Sequence, residues 1–370
     1  MSGLPGEAVV AFPFDFAAPI DERTIRLYRG DVEVPVQYVP TPQARGGTAV
    51  AGTLHWRASN GLYRLTAAEG GRRVQVPYPP YNFRHFDAQG RATPAGFERM
   101  RISPQWPLEG VLNVLDGEKP FATYHVAGGK RPYLYPVIGP DGIGLTELGK
   151  THDATGSHAH HYSLWTAHAL VDGKDFWGEK GGSIVHEAIE GLEDGPLFAR
   201  LKVRNRWTEN LVERRTLTFY AFDDHRLIDV ELELSGTATL GKTTFGPLAA
   251  RVRPSMSVFD GGGEIRNAEG AINEKDVHLR RAAWIDLSGP VSATARGGVA
   301  ILDHPSNPGH PTAWHCRDDG WAGAALCKDG EIAITPEKPL RLKYRVVLHR
   351  GADVAKRFAE YAATPTIVTK

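Results

Sequence analysis

The chain has 370 residues, 41% of them hydrophobic, which is enough to bury a sizeable core in one large or two ordinary domains. Lys+Arg and Asp+Glu both number 43, so the net charge is zero and nothing in the charge balance points to nucleic acid or an anionic membrane. The first residues, MSGLPGEAVVAFPFDF, lack the basic and apolar regions of a signal peptide, and no apolar run approaches the ~18 residues of a membrane helix. Cys316 and Cys327 are the only cysteines, too few for a disulfide scaffold, so a cytoplasmic location is expected.

In chain order, short β-branched and aromatic runs between Gly- and Pro-rich turns predict strands. They fall at Thr24–Tyr28, Val32–Tyr38, Leu62–Leu65, Val74–Val76, Thr216–Phe222, Ile228–Leu234 and Arg341–Leu348. Ile228–Leu234, IDVELEL, alternates apolar and charged residues, as a half-buried antiparallel strand does. Asp353–Ala363 reads as a helix, with Asp353 as N-cap and Val354, Phe358 and Tyr361 at helical spacing. The stretch PYPPYNFRHFDAQGRATPAG is rich in turn residues and poor in periodicity. It suggests an N-terminal β-sandwich with its linker over 1–105 and a larger β-sandwich over 106–370.

Chemistry concentrates in Gly156–Trp177, where His158, His160, His161 and His168 fall within eleven residues, close to Trp165, Asp175 and Trp177. Imidazole ligates metals and moves protons near neutral pH. Tryptophan offers a flat apolar face to a sugar ring. On a strand, His158 and His160 would share one face and His161 the other. Two imidazoles on one face suit a single divalent metal ion if a third ligand such as His186 joins them, and the same residues also suit a hydrogen-bonded structural cluster. A second segment, Asp303–Arg317, places His304, Trp314, His315 and Arg317 around three prolines.

Gly156–Trp177 resembles a bacterial family labelled "methane oxygenase PmoA". His158, His160, His161, Ser163–Trp165, Ala167, His168, Val171, Gly173 and Asp175–Trp177 match its pattern; Ser157, Ala159 and Tyr162 depart from it. Arg131–Pro136, Gly182–His186, Phe245–Gly246, Arg251, Asn267, Arg281–Gly289 and Asp303–Arg317 are similar to further family elements, in family order. The resemblance implies a galactose-mutarotase-like antiparallel β-supersandwich and a carbohydrate ligand.

The expected activity is acid/base chemistry (elimination, hydrolysis or epimerisation) on a glycoside or 3-keto-glycoside. A non-catalytic sugar-binding protein and a redox metalloenzyme remain as alternatives. The catalytic candidates are His160, His161, His186, Asp175 and His315. Trp165, His168, Trp177, His304, Trp314 and Arg317 are the substrate-binding candidates, and His158, His160 and His186 the metal candidates. The expected partner is a small carbohydrate. The oligomeric state stays open.

Overall fold

The computed structural model describes residues 1–20, 25–41, 49–67, 100–104, 110–149 and 158–363. The expected strand at Val74–Val76, the Pro- and aromatic-rich stretch after it, and Ser157 lie outside the described residues.

The chain forms two compact units. One comprises Met1–Arg101, Leu192–Ala199 and Ala359–Lys370; the other comprises Ile102–Gly191 and Arg200–Phe358. In the smaller unit, Ala49–Ala58 pairs antiparallel with Ala8–Ile20 on one side and Val36–Pro40 on the other. Arg26–Arg29 pairs likewise with Val32–Val34 and Arg64–Thr66. The alternate residues Val10, Leu27, Val36, Leu54 and Trp56 from both sheets form one buried core.

The larger unit is built on two eight-stranded sheets. In one, Trp314–Arg317, Trp321–Ala324, Leu248–Arg251, Leu164–Thr166, Tyr133–Val137, Lys119–His125 and Val111–Asp116 are successive neighbours. The other runs Val185–Glu193, Ala199–Thr208, Leu211–Ala221, His225–Gly236, Leu340–His349, Arg296–Asp303, Trp284–Pro290 and Glu264–Asn267. Leu211–Ala221 and His225–Gly236 pair antiparallel along eleven residues, from Leu211↔Gly236 to Ala221↔Arg226. The sheets face each other, with Phe121 of the first 5.6 Å from Phe219 of the second in an edge-to-face contact. Arg226 reaches across to the carbonyls of Pro120 (2.9 Å) and Ile138 (3.0 Å). This is the antiparallel β-sandwich expected from the sequence.

Period-two patterning explains why these segments became strands. Ile228, Val230, Leu232 and Leu234 are buried, while Asp229, Glu231 and Glu233 lie outward. Asp229 and Glu233 pair across the strand boundary with Arg345 and Arg341. The helix Val354–Ala362 begins as expected, with Asp353 Oδ1 accepting from the Lys356 N–H at 3.0 Å. Cys316 and Cys327 are free and buried, and burial pushes both thiols up to about 12. No described helix is long and apolar enough to cross a membrane.

Candidate functional site: a histidine turn on an aromatic wall

Residues 158–160 form a turn rather than a strand, closed by the His161 N–H donating to the His158 carbonyl at 2.9 Å. The alternation expected for a strand therefore does not apply, and all three rings gather. Their centroids lie 4.8 Å (His158–His161), 4.6 Å (His160–His161) and 6.2 Å (His158–His160) apart. The turn is anchored at Ser163, which holds a positive φ of 69° and is fully buried. Its hydroxyl donates to Thr146 Oγ1 (2.6 Å) and its carbonyl accepts from the Arg251 N–H (2.7 Å). Such strain, of order 1 kcal/mol, persists only where surrounding bonds over-determine it.

His161 sits at the base of the turn, stacked on Trp165 at 5.1 Å and 26°, with Trp321 at 5.0 Å. It is 2% exposed, and Arg251 Nη1 donates to its Nδ1 at 3.1 Å, so its proton resides on Nε2. Burial, then its positive neighbours, holds its pKa well below the usual range. His161 is therefore a neutral, buried ring that supports its neighbours, which corrects the expectation that it acts on substrate directly. Asp319, in the turn between Trp314–Arg317 and Trp321–Ala324, completes this corner. Its Oδ2 lies 3.5 Å from His158 Nε2 and 3.6 Å from Arg251 Nη1.

His160 is half-buried and hydrogen-bonds to none of the described residues. Burial lowers its pKa, with Arg131 and His158 adding to the effect, so the ring is neutral and keeps a free lone pair at pH 7. Arg131 is 1% exposed and donates from Nη2 to the Trp177 carbonyl at 2.7 Å and to Glu179 Oε1 at 3.3 Å. It also lies 5.3 Å over the Tyr162 ring. Gly129 leaves room for that ring, because a Cβ there would stand 2.4 Å from it.

A continuous aromatic wall runs from the turn. Trp177 lies 5.4 Å from Trp165, 5.8 Å from Trp321 and 5.5 Å from Phe245. Phe245 leads to His315 (4.5 Å), and His315 to His278 (4.7 Å). His315 is 4% exposed; its Nδ1 is 3.0 Å from Thr244 Oγ1, and burial pushes its imidazole down to about 4. Among the described residues, the buried Trp165 Nε1, Trp177 Nε1, His315 Nε2 and Arg131 Nε and Nη1 have no hydrogen-bond partner. Orphaned buried donors cost about 1–3 kcal/mol each and are rare away from functional sites.

Several expected site residues stand elsewhere. Trp314 is fully buried and donates from Nε1 to the Ala282 carbonyl at 2.8 Å, so it is core and no ligand platform. The faces of Trp165 and Trp177 are also covered, at 1% and 3% exposure, which leaves half-buried Phe245 as the accessible part of the wall. His168 is fully buried, with Nε2 3.0 Å from the Gly241 carbonyl, and serves the backbone. His304 bonds within its own loop to Ser306, and exposed Arg317 pairs with Glu274. Asp175 Oδ1 accepts from the N–H groups of Trp177 (2.9 Å) and Gly178 (2.7 Å), closing its own turn.

His186 Nδ1 lies 3.2 Å from Asn205 Oδ1. No group of three His, Cys, Asp or Glu among the described residues is placed to hold a metal ion, so His158, His160 and His186 do not assemble the expected ligand set. Behind His186 lies a buried hydrogen-bond network. Fully buried Glu213 accepts from Asn205 Nδ2 (2.9 Å), Trp207 Nε1 (2.8 Å) and Arg215 Nε (2.6 Å). Arg215 reaches on to the Pro132 carbonyl (3.4 Å) and Thr166 Oγ1 in the facing sheet.

Fold and site thus define an antiparallel β-sandwich protein with a histidine turn seated on an aromatic wall. The chain belongs to the family of unknown function DUF6807, whose profile matches residues 111–363 and so spans the site. No curated protein matches the chain. Among solved structures it is similar to a mutant of heparan sulfate lyase HepC from Pedobacter heparinus, at 12% identity and a TM-score of 0.33, over 72% of this chain and 38% of that one. A putative mutarotase (YeaD) from Salmonella typhimurium matches at 10% identity and a TM-score of 0.27, over 68% of this chain and 94% of that one. The 4-alpha-glucanotransferase from Thermococcus litoralis matches at 11% and 0.24, over 68% and 37%. The chain spans little more than a third of the lyase's length, and at these scores no activity transfers.

Proposed function

We propose that this chain is an enzyme performing acid/base chemistry on a carbohydrate, a glycoside or 3-keto-glycoside, with His160 as the base. The observation that carries this reading is His160 itself: a neutral, half-buried imidazole with no hydrogen-bond partner among the described residues, beside His158 and in the field of the buried Arg131. A general base needs such a free lone pair at working pH. The neighbouring wall, open at Phe245, suits the C–H face of a sugar ring, and the imidazoles and arginines along its edge suit hydroxyl and carbonyl oxygens.

In a 3-keto-glycoside the carbonyl acidifies the C2–H. His160 takes that proton, and the electron pair moves into the enolate, which lies in the positive field of Arg131. The enolate then expels the C1 oxygen as the C1–O bond breaks. His158, facing Asp319, delivers a proton to the leaving oxygen. The products are an enone sugar and the free aglycone; addition of water to the enone would complete a hydrolysis.

Proton NMR in D2O with matched glucosides and 3-keto-glucosides tests the reading. Loss of the C2–H signal or release of aglycone is expected with the native chain and absent in His160→Ala whose circular dichroism is unchanged. Full activity in that variant would remove His160 as the base. Ligand line-broadening without turnover would mean a sugar-binding protein instead.

A further inference from the structure

The Glu213 network does more than fill the core. Its carboxylate oxygens accept three hydrogen bonds, from Arg215, Trp207 and Asn205, so each of these neighbours turns a donor toward it. The Asn205 amide must therefore turn its NH2 inward to Glu213 and its oxygen toward His186. An amide oxygen accepts only, so the His186 nitrogen 3.2 Å away, Nδ1, must carry the ring proton. The Nε2 lone pair is then left over, on a half-buried ring whose Nε2 hydrogen-bonds to no described residue.

We infer that Glu213 and Asn205 are positioning residues that lock His186 as the Nδ1–H tautomer and present its Nε2 as a second proton acceptor, one that takes a substrate hydroxyl. The last clause rests on the carbohydrate reading above; the tautomer lock does not. Burial, with Arg215 adding to it, lowers the His186 pKa, so the lone pair is free at neutral pH. The lock is rigid because Arg215 ties it to Thr166 and the Pro132 carbonyl in the facing sheet. Pro132 directly follows Arg131, whose charge bears on His160.

The test is a long-range proton–nitrogen correlation spectrum of the full 15N-labelled chain at pH 7.5, with the His186 signals assigned from their loss in His186→Gln. A protonated Nδ1 and an unprotonated Nε2 are expected, and Asn205→Leu should relax this to a tautomer mixture. A protonated Nε2, or a mixture, in the native chain would overturn the lock, and that reading stands even if Asn205→Leu does not fold. With a 3-keto-glucoside as probe, His186→Gln and Asn205→Leu should each lower kcat about 100-fold with KM within about twofold. Unchanged kcat would overturn the acceptor role. A locked tautomer in a chain inactive on the whole sugar panel would support the positioning device and defeat the carbohydrate reading.

Discussion

Acid should unfold the larger unit through its buried imidazoles. His168 and His315 are 0% and 4% exposed, and burial pushes each down to about 4. An unfolded histidine titrates near 6.5. The unfolded chain therefore binds more protons between these values, and stability falls as pH drops through the window. The contribution is fully present above pH 6.5 and lost as pH falls through about 4. At pH 4.5 each ring should have lost about 2–3 kcal/mol, and the two together a large part of a typical domain's stability. His161, held well below its usual range, adds in the same direction. Urea unfolding followed by tryptophan fluorescence at pH 7.0 and 4.5 measures the loss. His168→Leu should be less stable at pH 7.0, because the bond to Gly241 is gone, yet should lose about 2–3 kcal/mol less than native on acidification. An identical acid loss in His168→Leu and native protein would refute the argument that this ring is kept neutral by burial.

Other expectations follow from the same contacts. Glu213→Ala should cost about 4 kcal/mol by urea unfolding, because it strands the buried Arg215 cation; the double change Glu213→Leu with Arg215→Met should recover most of that. Trp314→Ala should cost about 3–5 kcal/mol as a core cavity, while Arg317→Ala, breaking an exposed pair, should cost under about 1 kcal/mol. Comparable losses in the two would contradict their assigned surroundings. Gly129→Ala should displace the Tyr162 ring from Arg131 and lower turnover with little change in overall circular dichroism. The activity of the His160 base should rise with pH on a limb below 6.5, reflecting its lowered pKa, and a kcat/KM profile would show it.

Strand patterning made much of the fold readable. IDVELEL and RLKYRVVL alternate in sequence and pair register for register, from Ile228↔Val346 to Leu234↔Leu340. The Asp353 cap and the helix after it follow from local chemistry alone. The crowding of His158, His160 and His161 was readable in the sequence, and their rings do gather in space. Treating that segment as a strand failed at Ser163, where a positive φ and bonds to residues distant in sequence hold a turn. Trp314 was misplaced for a related reason. Residue type marks it as capable of binding, but exposure depends on what the opposite layer covers.

Sequence by itself determined the antiparallel β class, the position of the C-terminal helix and the stretch in which the imidazoles cluster, because these follow from periodicity, capping and local composition. Tertiary structure alone decided which candidates are buried or paired and which are left accessible. Glu213 and Arg215 lie on one face of their strand by simple alternation, yet their meaning comes from Asn205 and Trp207 on the preceding strand and from Thr166 and Pro132 on the opposing sheet. Burial and pairing are properties of two surfaces meeting, and one surface's sequence does not name the other.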